Sequence, residues 1–392
     1  MRVEGEQMSQ DQGVIEAAAP AGHPHSPSRI TVPSLLFPLV ALALAAVLHL
    51  SDTVIEALPL TMEIALSVGV VAVMIVTVFV VLGHAEAVAH RVGEPYGTLI
   101  LTIAVTAIEA SVIVSMMMHG ANNPTLARES VFSTVMIVSA GVVGICLTMG
   151  GLRHREQDLK RQGTSALLAV VIALSILTLV LPDFTLTAGP GNFSTLQLAL
   201  VSLLCLLLYG SFLLAQITRH REDFVDALAP PEHAGSAAAP SGLLARLLLL
   251  VLGLVGIVML AEYVAAGIEQ GLGALQVPQS DAIVGAFIAT LVLLPESISA
   301  IRASYRNELQ RSLNIALGSA CATIGLTIPV VAVASLITGR GITLGLATGD
   351  IVLLVLALMI SLVSFGTGRT NALTGGVHLA IFVAYLLLIA VP

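Results

Sequence analysis

Long apolar runs separated by short polar connections dominate the chain after residue 30. Each run has about 19 to 25 residues, which as an α-helix cover the roughly 30 Å hydrocarbon core of a bilayer. A spanning segment must satisfy its backbone hydrogen bonds internally, so such runs predict helices rather than strands. The pattern predicts eleven transmembrane helices, at residues 31–50, 60–83, 98–119, 130–151, 164–182, 196–217, 243–267, 281–301, 313–337, 342–364 and 371–391.

The composition agrees with an all-α polytopic membrane protein. Of 392 residues, 57% are hydrophobic and 10% are charged, with a mean hydropathy of +0.99. A soluble protein carries about 25% charged residues. The sequence contains neither a His-Glu-x-x-His zinc motif nor a Gly-x-Ser-x-Gly nucleophile motif, so we predict that it is not an enzyme. The three cysteines fall in apolar spans and are interpreted as packing residues, Cys146, Cys205 and Cys321.

The basic residues predict the orientation. If the N-terminus is placed on one side and the helices alternate, 14 of the 16 Lys and Arg residues fall on that side. The other side holds Arg128 and Arg340. Connections rich in Lys and Arg remain in the cytoplasm. We therefore expect an inner-membrane protein with a cytoplasmic N-terminus and an external C-terminus.

The polar segments divide the chain into parts. Residues 1–30 lack apolar periodicity and predict a disordered cytoplasmic tail. The longest polar connection, residues 218–242, contains Pro230 and Pro231 and predicts a cytoplasmic linker. Apart from one extra helix at 31–50, the linker separates two groups of five helices, residues 60–217 and 243–391. An odd number of helices per group inverts the second relative to the first, which predicts two inverted repeats.

Two glutamates lie inside apolar spans, in the second helix of each five-helix group. Glu109 is near the middle of its span, and Glu296 follows Pro295 in the other. A carboxylate in a membrane costs a few kcal/mol and marks a functional site by default. A proline within a helix bends or breaks it and frees a backbone carbonyl, which could help to bind a cation. The alternative for Glu296 is a helix-end glutamate that reaches the headgroups near Arg302.

The next helix in each group carries hydroxyl residues at helical spacing. Ser130 and Thr134 share one face, as do Ser319, Thr323 and Thr327, at distances of 21 and 23 residues from the preceding acid to the first serine. These hydroxyls could supply neutral oxygen ligands. The alternative, which we favour for any single hydroxyl, is close helix packing, which is common in membranes.

Two polar residues at the end of the second helix have a different interpretation. His84 and Glu86 could regulate transport or sense protons. An ordinary polar connection at the membrane surface explains them equally well.

The paired motifs resemble the calcium/cation antiporter superfamily, and in particular its bacterial calcium/proton antiporter branch, the ChaA-type proteins. The similarity lies in residues 83–98 (GHAEAVAHRVGEPYGT), 104–109 (AVTAIE), 293–296 (LLPE) and 314–319 (NIALGS). It implies that Glu109 and Glu296 bind the cation, supported by the remaining polar and small residues of the motifs and of the helices that follow them, Thr106, Glu129, Ser130, Thr134, Pro295, Asn314, Gly318, Ser319 and Thr323. Two departures are the lack of a proline before Glu109 and the presence of Glu129 where a glycine is usual.

The chemistry of such a site favours exchange of Ca²⁺ for H⁺. Ca²⁺ takes six to eight oxygen ligands, and two carboxylates neutralise its charge. Once the cation leaves, two buried carboxylates cannot easily both stay charged, so protonation stabilises the empty site. Exchange of Na⁺ or K⁺ for H⁺ remains an alternative, and a cation channel or an intramembrane enzyme is a distant one. We expect no cofactor and no nucleic-acid partner, with the cation and H⁺ as substrates and the lipid bilayer as the surroundings.

Overall fold

Eleven helices make up almost all of the described chain in a computed structural model. The structure describes residues 32–51, 60–92, 96–119, 123–217, 242–274 and 279–391. In chain order α1 to α11 are Val32–Leu50, Leu60–Val92, Tyr96–His119, Leu126–His154, Arg161–Phe184, Thr195–Ile217, Leu243–Ala274, Ser280–Tyr305, Leu309–Thr338, Thr348–Gly366 and Ala372–Ala390. The predicted all-α class and the number of helices are confirmed. The predicted tail at 1–30 and all but Gly242 of the predicted linker lie outside the described residues.

The helices are long and apolar enough to cross a membrane. Ten of them qualify by length and hydropathy, and α3 contains a shorter apolar stretch, Thr102–Met118. The chain is therefore an integral membrane protein. The largest difference from the predicted boundaries is at α2, which continues to Val92 instead of ending at residue 83. Helix α10 begins at Thr348 instead of residue 342 because residues 339–347 form an extended connection. Gly339, with φ of 67°, ends α9 in the left-handed conformation that favours glycine.

Wide π-helical turns interrupt the third helix of each predicted five-helix group. In α4 the turn covers Ile137–Val142, and in α9 it covers Thr323–Thr327. A third π turn, Ile176–Val180, lies in α5. A π turn adds a residue to the local repeat and is frequent at functional sites. Thr323 at the start of the α9 turn is one of the predicted supporting residues.

Two apolar cores organise the bundle. One lies mainly between α1, α2 and α7, with contributions from α3 and α8. The larger one lies between α4, α5, α6, α9, α10 and α11. Helix α3 packs against the π turn of α9, and α8 packs against α4. The two acid-bearing helices therefore stand between the cores. Helix α3 contacts the third helix of the second group, and α8 contacts the third helix of the first group.

The connections meet at two opposite ends, as alternating crossings require. At one end the β1 strand, Glu156–Asp158 between α4 and α5, pairs antiparallel with β2, Arg369–Asn371 between α10 and α11. Buried Gln157 also donates to the Ser304 carbonyl oxygen, 3.0 Å away, where α8 ends. We call this the basic end, because the described Lys and Arg residues of these connections gather there, Arg153, Arg155, Lys160, Arg161, Arg302, Arg306, Arg311 and Arg369.

The opposite end joins the other connections. The Thr343 amide donates to the Pro124 carbonyl at 2.9 Å, and the Leu344 amide donates to Gly191 at 3.0 Å. Thr125 donates to the Asp281 carboxylate at 2.7 Å. The connections before α4, α6, α8 and α10 therefore share this end, which agrees with the alternation predicted from the sequence.

Candidate functional site

Glu109 is a buried carboxylate held by hydroxyl groups from two other helices. It is 2% exposed and lies on α3. Thr323 of α9 donates to Oε2 at 2.6 Å, and Thr134 of α4 donates to Oε1 at 3.3 Å. The two threonines are the residues that the sequence pairs by position in the two groups. The structure therefore brings three predicted site residues together, with the hydroxyls of both third helices on one acid.

Glu296 has a different environment. It is partly buried on α8, and its Oε2 atom is inaccessible and has no hydrogen-bond partner among the described residues. A buried polar atom without a partner costs roughly 1–3 kcal/mol. Such an atom is a position at which a cation or a proton would restore the lost interactions.

Pro295 does not break its helix, contrary to one of the two outcomes predicted for it. Helix α8 continues from Ser280 to Tyr305 with Pro295 inside it. The missing amide still leaves the Leu291 carbonyl, four residues earlier, without its usual helical donor. Because α8 packs on both sides against α4 and α9, one lost backbone bond is not enough to interrupt it.

The two acids lie near each other, because Glu296 and Ile108, the residue before Glu109 on α3, line the same small cleft. A negative charge on Glu109 therefore disfavours one on Glu296. A small cleft between α2, α3 and α8 reaches Glu296, and its remaining lining is apolar, including Val81, Ala85 and Val105. A carboxylate at the wall of an apolar cleft has little access to water that could screen this repulsion.

The remaining residues predicted to support the site lie on several surfaces. Thr106 donates to its own helix at Thr102, 2.9 Å away, and the buried Ser130 hydroxyl has no partner among the described residues. Asn314 accepts a hydrogen bond of 3.0 Å from Gln310. Gly318 faces open space, and Ser319 beside it is partly exposed. Asn314, Gly318 and Ser319 thus line the half of α9 nearer the basic end.

Glu129 forms an ion pair with Arg128, which the sequence analysis considered only for the orientation. Arg128 donates to Glu129 Oε1 through Nε at 2.8 Å and through Nη2 at 2.5 Å. The same guanidinium donates to the Gly345 carbonyl at 2.7 Å. Glu129 lies in the first turn of α4, at the end opposite the basic end, about 7 Å along the helix axis from Thr134. The structure places it in an ion pair and not on Glu109.

His84, in the last third of α2, joins this helix to α1, the extra helix before the first group. His84 is 2% exposed, and its Nε2 lies 2.9 Å from the Ser34 carbonyl oxygen of α1. Its Nδ1 atom has no partner in the described part of the chain. Glu86, one half-turn away, is exposed. The geometry gives His84 a helix-joining contact, and its predicted regulatory role stays a prediction.

Sequence reasoning missed a third intramembrane acid. Glu262 lies within the α7 span, where Ser115 of α3 donates to its Oε2 atom at 3.0 Å. The signal was available, because the rule that marks Glu109 and Glu296 as candidates applies to any acid inside an apolar span.

The described residues contain no group of three or more His, Cys, Asp or Glu side chains that could hold a metal ion. A divalent cation between Glu109 and Glu296 would therefore need further oxygens. Hydroxyls such as Thr323, carbonyls such as Leu291 and water are of the kind that Ca²⁺ accepts.

Comparison with known proteins identifies relatives over most of the chain. The profile of the family described as "Sodium/calcium exchanger protein" matches residues 62–218 and 246–391. A "Putative ionic transporter y4hA" of Sinorhizobium fredii is 46% identical over 319 residues, covering 80% of this chain and 86% of that protein. The "Sodium-potassium/proton antiporter ChaA" of Escherichia coli is 36% identical over 361 residues, covering 91% and 95%.

A solved structure has the same fold. The selenium-substituted "Ca2+/H+ antiporter protein YfkE" superposes with a TM-score of 0.66 at 17% identity, covering 92% of this chain and 99% of that one. At this identity the similarity establishes the fold alone. The matched family and the fold are those that the sequence motifs predicted.

Proposed function

The chain belongs to the sodium/calcium exchanger protein family, and we propose that it is a cation/proton antiporter that exchanges Ca²⁺ for H⁺. The observation that carries the proposal is the contrast between two carboxylates within apolar helices: Glu109 accepts hydrogen bonds from two threonine hydroxyls, and Glu296 has an unpartnered oxygen. The pair can exist with a cation between the acids or with protons on them. Cation and protons thus compete for one site, and that competition is the basis of antiport.

We further propose that transport proceeds by alternating access to this site. Each acid lies on the second helix of its five-helix group, and the described connections place those helices in opposite directions through the membrane. Such inverted groups bind ions between their halves near the midplane. The 14-to-2 distribution of basic residues supports a cytoplasmic basic end, with the N-terminus on that side and the C-terminus outside.

A second candidate is exchange of Na⁺ or K⁺ for H⁺. It is supported by the similarity to the E. coli relative, a "Sodium-potassium/proton antiporter" that is 36% identical. A monovalent ion needs less negative charge, and one of the two acids could stay protonated while the other binds it.

The test is a comparison of cations in one preparation. Purified protein in sealed vesicles with an internal pH dye receives Ca²⁺, Na⁺ or K⁺ outside, and the release of internal protons is measured. The proposal expects the largest proton flux with Ca²⁺ at micromolar concentration. Proton flux with Na⁺ or K⁺ but not with Ca²⁺ would replace the first candidate by the second, and the absence of flux with all three would refute antiport.

A reporter fused after the last residue tests the orientation. A reporter that is active only in the periplasm or outside the cell is expected to be active in this fusion. Activity of one that works only in the cytoplasm would contradict the proposed topology.

A further inference from the structure

A small apolar cluster lies between Glu109 and the end opposite the basic end. Ile113 and Met117 follow Glu109 by four and eight residues on the same face of α3, about 6 and 12 Å along its axis. They are 1% and 6% exposed and pack with Ala127 and Val331. An ion that leaves Glu109 toward this end must pass through that layer, which offers no oxygen ligands from its side chains.

Residues 339–347, which we call the strap, lie over this cluster. Ile342 of the strap packs against it. The amides of Leu344 and Gly345 both donate to the Gly191 carbonyl, at 3.0 and 2.9 Å, and the Leu346 amide donates to Leu179 at 3.0 Å. The strap is thereby bound along its backbone to the end of α5 and the connection that follows.

The backbones meet closely at Gly345. A Cβ atom at this position would lie 2.0 Å from Asp183 Oδ1 and 2.5 Å from the Gly191 Cα atom. Only glycine permits the approach that these hydrogen bonds need. The strap is therefore a fixed surface and not a freely moving loop.

The half of α3 that follows Glu109 is attached to the strap much more weakly than the end of α5 is. The Arg340 guanidinium donates to the Met117 carbonyl oxygen, one of the last four carbonyls of α3, which lack helical donors. A cationic side chain at a helix C-terminus is favourable in both its hydrogen bond and its charge. One side-chain contact and an apolar cluster can separate without disturbing the backbone bonds on the other side of the strap.

We propose that the end of α3 from Ile113 to Met117 is a gate that closes against the strap, and that Arg340 is its fastener. The proposal rests on the proposed antiport function and adds the place where the site opens to the end opposite the basic end. Opening separates Met117 and Ile113 from Ile342 and breaks the bond from Arg340, whereas the strap stays in place.

Thiol labelling tests the fastener without reference to any ion. An Ile113→Cys variant is treated in intact cells with a membrane-impermeant thiol reagent, and labelling of the native chain, whose three cysteines are buried, is subtracted. We expect slow labelling that rises about tenfold when Arg340→Ala is added, the effect of losing one charge-assisted hydrogen bond. Arg311→Ala, which removes an exposed arginine at the basic end, is the matched control and should change nothing. Equal labelling with and without Arg340 would overturn the fastener.

A reversible crosslink tests the gate itself. Met117→Cys and Ile342→Cys are joined by a short, cleavable thiol crosslinker, which should abolish cation/proton exchange until it is cleaved with a reductant. Undiminished exchange by the fully crosslinked protein would refute the gate. Recovery after cleavage shows that the variant is folded. The thiol labelling needs no transported ion. If the protein exchanges none of the three cations, the proposed function is refuted, but the labelling still tests the gate.

Discussion

The two buried glutamates occupy matching places in their five-helix groups, yet only one of them has its hydrogen bonds satisfied. Glu109 accepts hydroxyls from Thr134 and Thr323, while Glu296 Oε2 accepts none in the described part of the chain. Repeated helices therefore do not make a symmetric site. Glu109 is already stabilised before an ion arrives, and Glu296 gains most when a cation or proton binds. Under the proposed mechanism, we therefore expect Glu109 to fix the position of the site and Glu296 to provide most of its driving force.

The largest expected effect is the loss of transport when either acid is neutralised. Glu109→Gln and Glu296→Gln keep the shape and one oxygen but remove the charge and the titratable proton. We expect each to lower the exchange rate by roughly 100-fold or more, beyond what loss of an outer partner of a metal ligand costs. Proton release from vesicles measures it. Wild-type exchange by either variant would end the shared-site mechanism.

Next in size is the contribution of the threonines to Glu109. Thr323→Val removes the shorter bond, 2.6 Å, and should raise the half-saturating cation concentration about tenfold. Thr134→Val removes the 3.3 Å bond and should have a smaller effect. The matched control is Thr327→Val, because the buried Thr327 hydroxyl on the same helix has no partner in the described residues. An equal change in all three variants would show that the hydroxyls serve packing alone.

A smaller effect concerns the free energy of unfolding, which we expect to change differently when each acid is replaced. Glu109→Gln weakens two charge-assisted bonds and should lower the free energy of unfolding by about 1 kcal/mol. Glu296→Gln replaces an unpartnered carboxylate oxygen with an amide that is cheaper to bury, so stability should be unchanged or slightly higher. Thermal unfolding in detergent, without added cations, compares them. Greater loss for Glu296→Gln would mean that its carboxylate has a partner that compensates for its burial.

The smallest effect on the site is expected at Glu129. Because Glu129 pairs with Arg128 away from Glu109, Glu129→Gln should leave the half-saturating cation concentration within about twofold, the usual limit for independent positions. The free energy of unfolding of Glu129→Gln should fall, because Arg128 loses its carboxylate partner. Addition of Arg128→Met to this variant should restore part of the loss. A collapse of cation affinity in Glu129→Gln would instead make Glu129 a ligand.

The amino-acid sequence was sufficient for the parts of the fold that depend on local composition. Apolar length gave the number of helices, and the rule against intramembrane charge selected Glu109 and Glu296. The i, i+4 pattern selected Thr134 and Thr323 among the hydroxyl residues that could supply oxygen ligands. It could not show that both meet the same acid, because that depends on how α3, α4 and α9 pack.

Other features left weaker signals. The π turns of α4 and α9 have no composition that distinguishes them from regular helix. The family resemblance predicted Glu129 as a supporting residue, because it stands where a glycine is usual. The helix begins at Leu126, four residues earlier than predicted, so Glu129 lies in its first turn, where Arg128 can reach it.

The connections that follow the two third helices have a thermodynamic consequence. The one after α4 pairs as a strand with the connection before α11, and the strap after α9 bonds to the connection before α6, so each crosses onto the other group. If the inverted duplication were perfect, the conformation open to one face and that open to the other would be equivalent and isoenergetic. Under the proposed alternating-access mechanism, their population ratio is set by places where the two groups differ. The two-stranded ladder at one face and the strap at the other are one such difference.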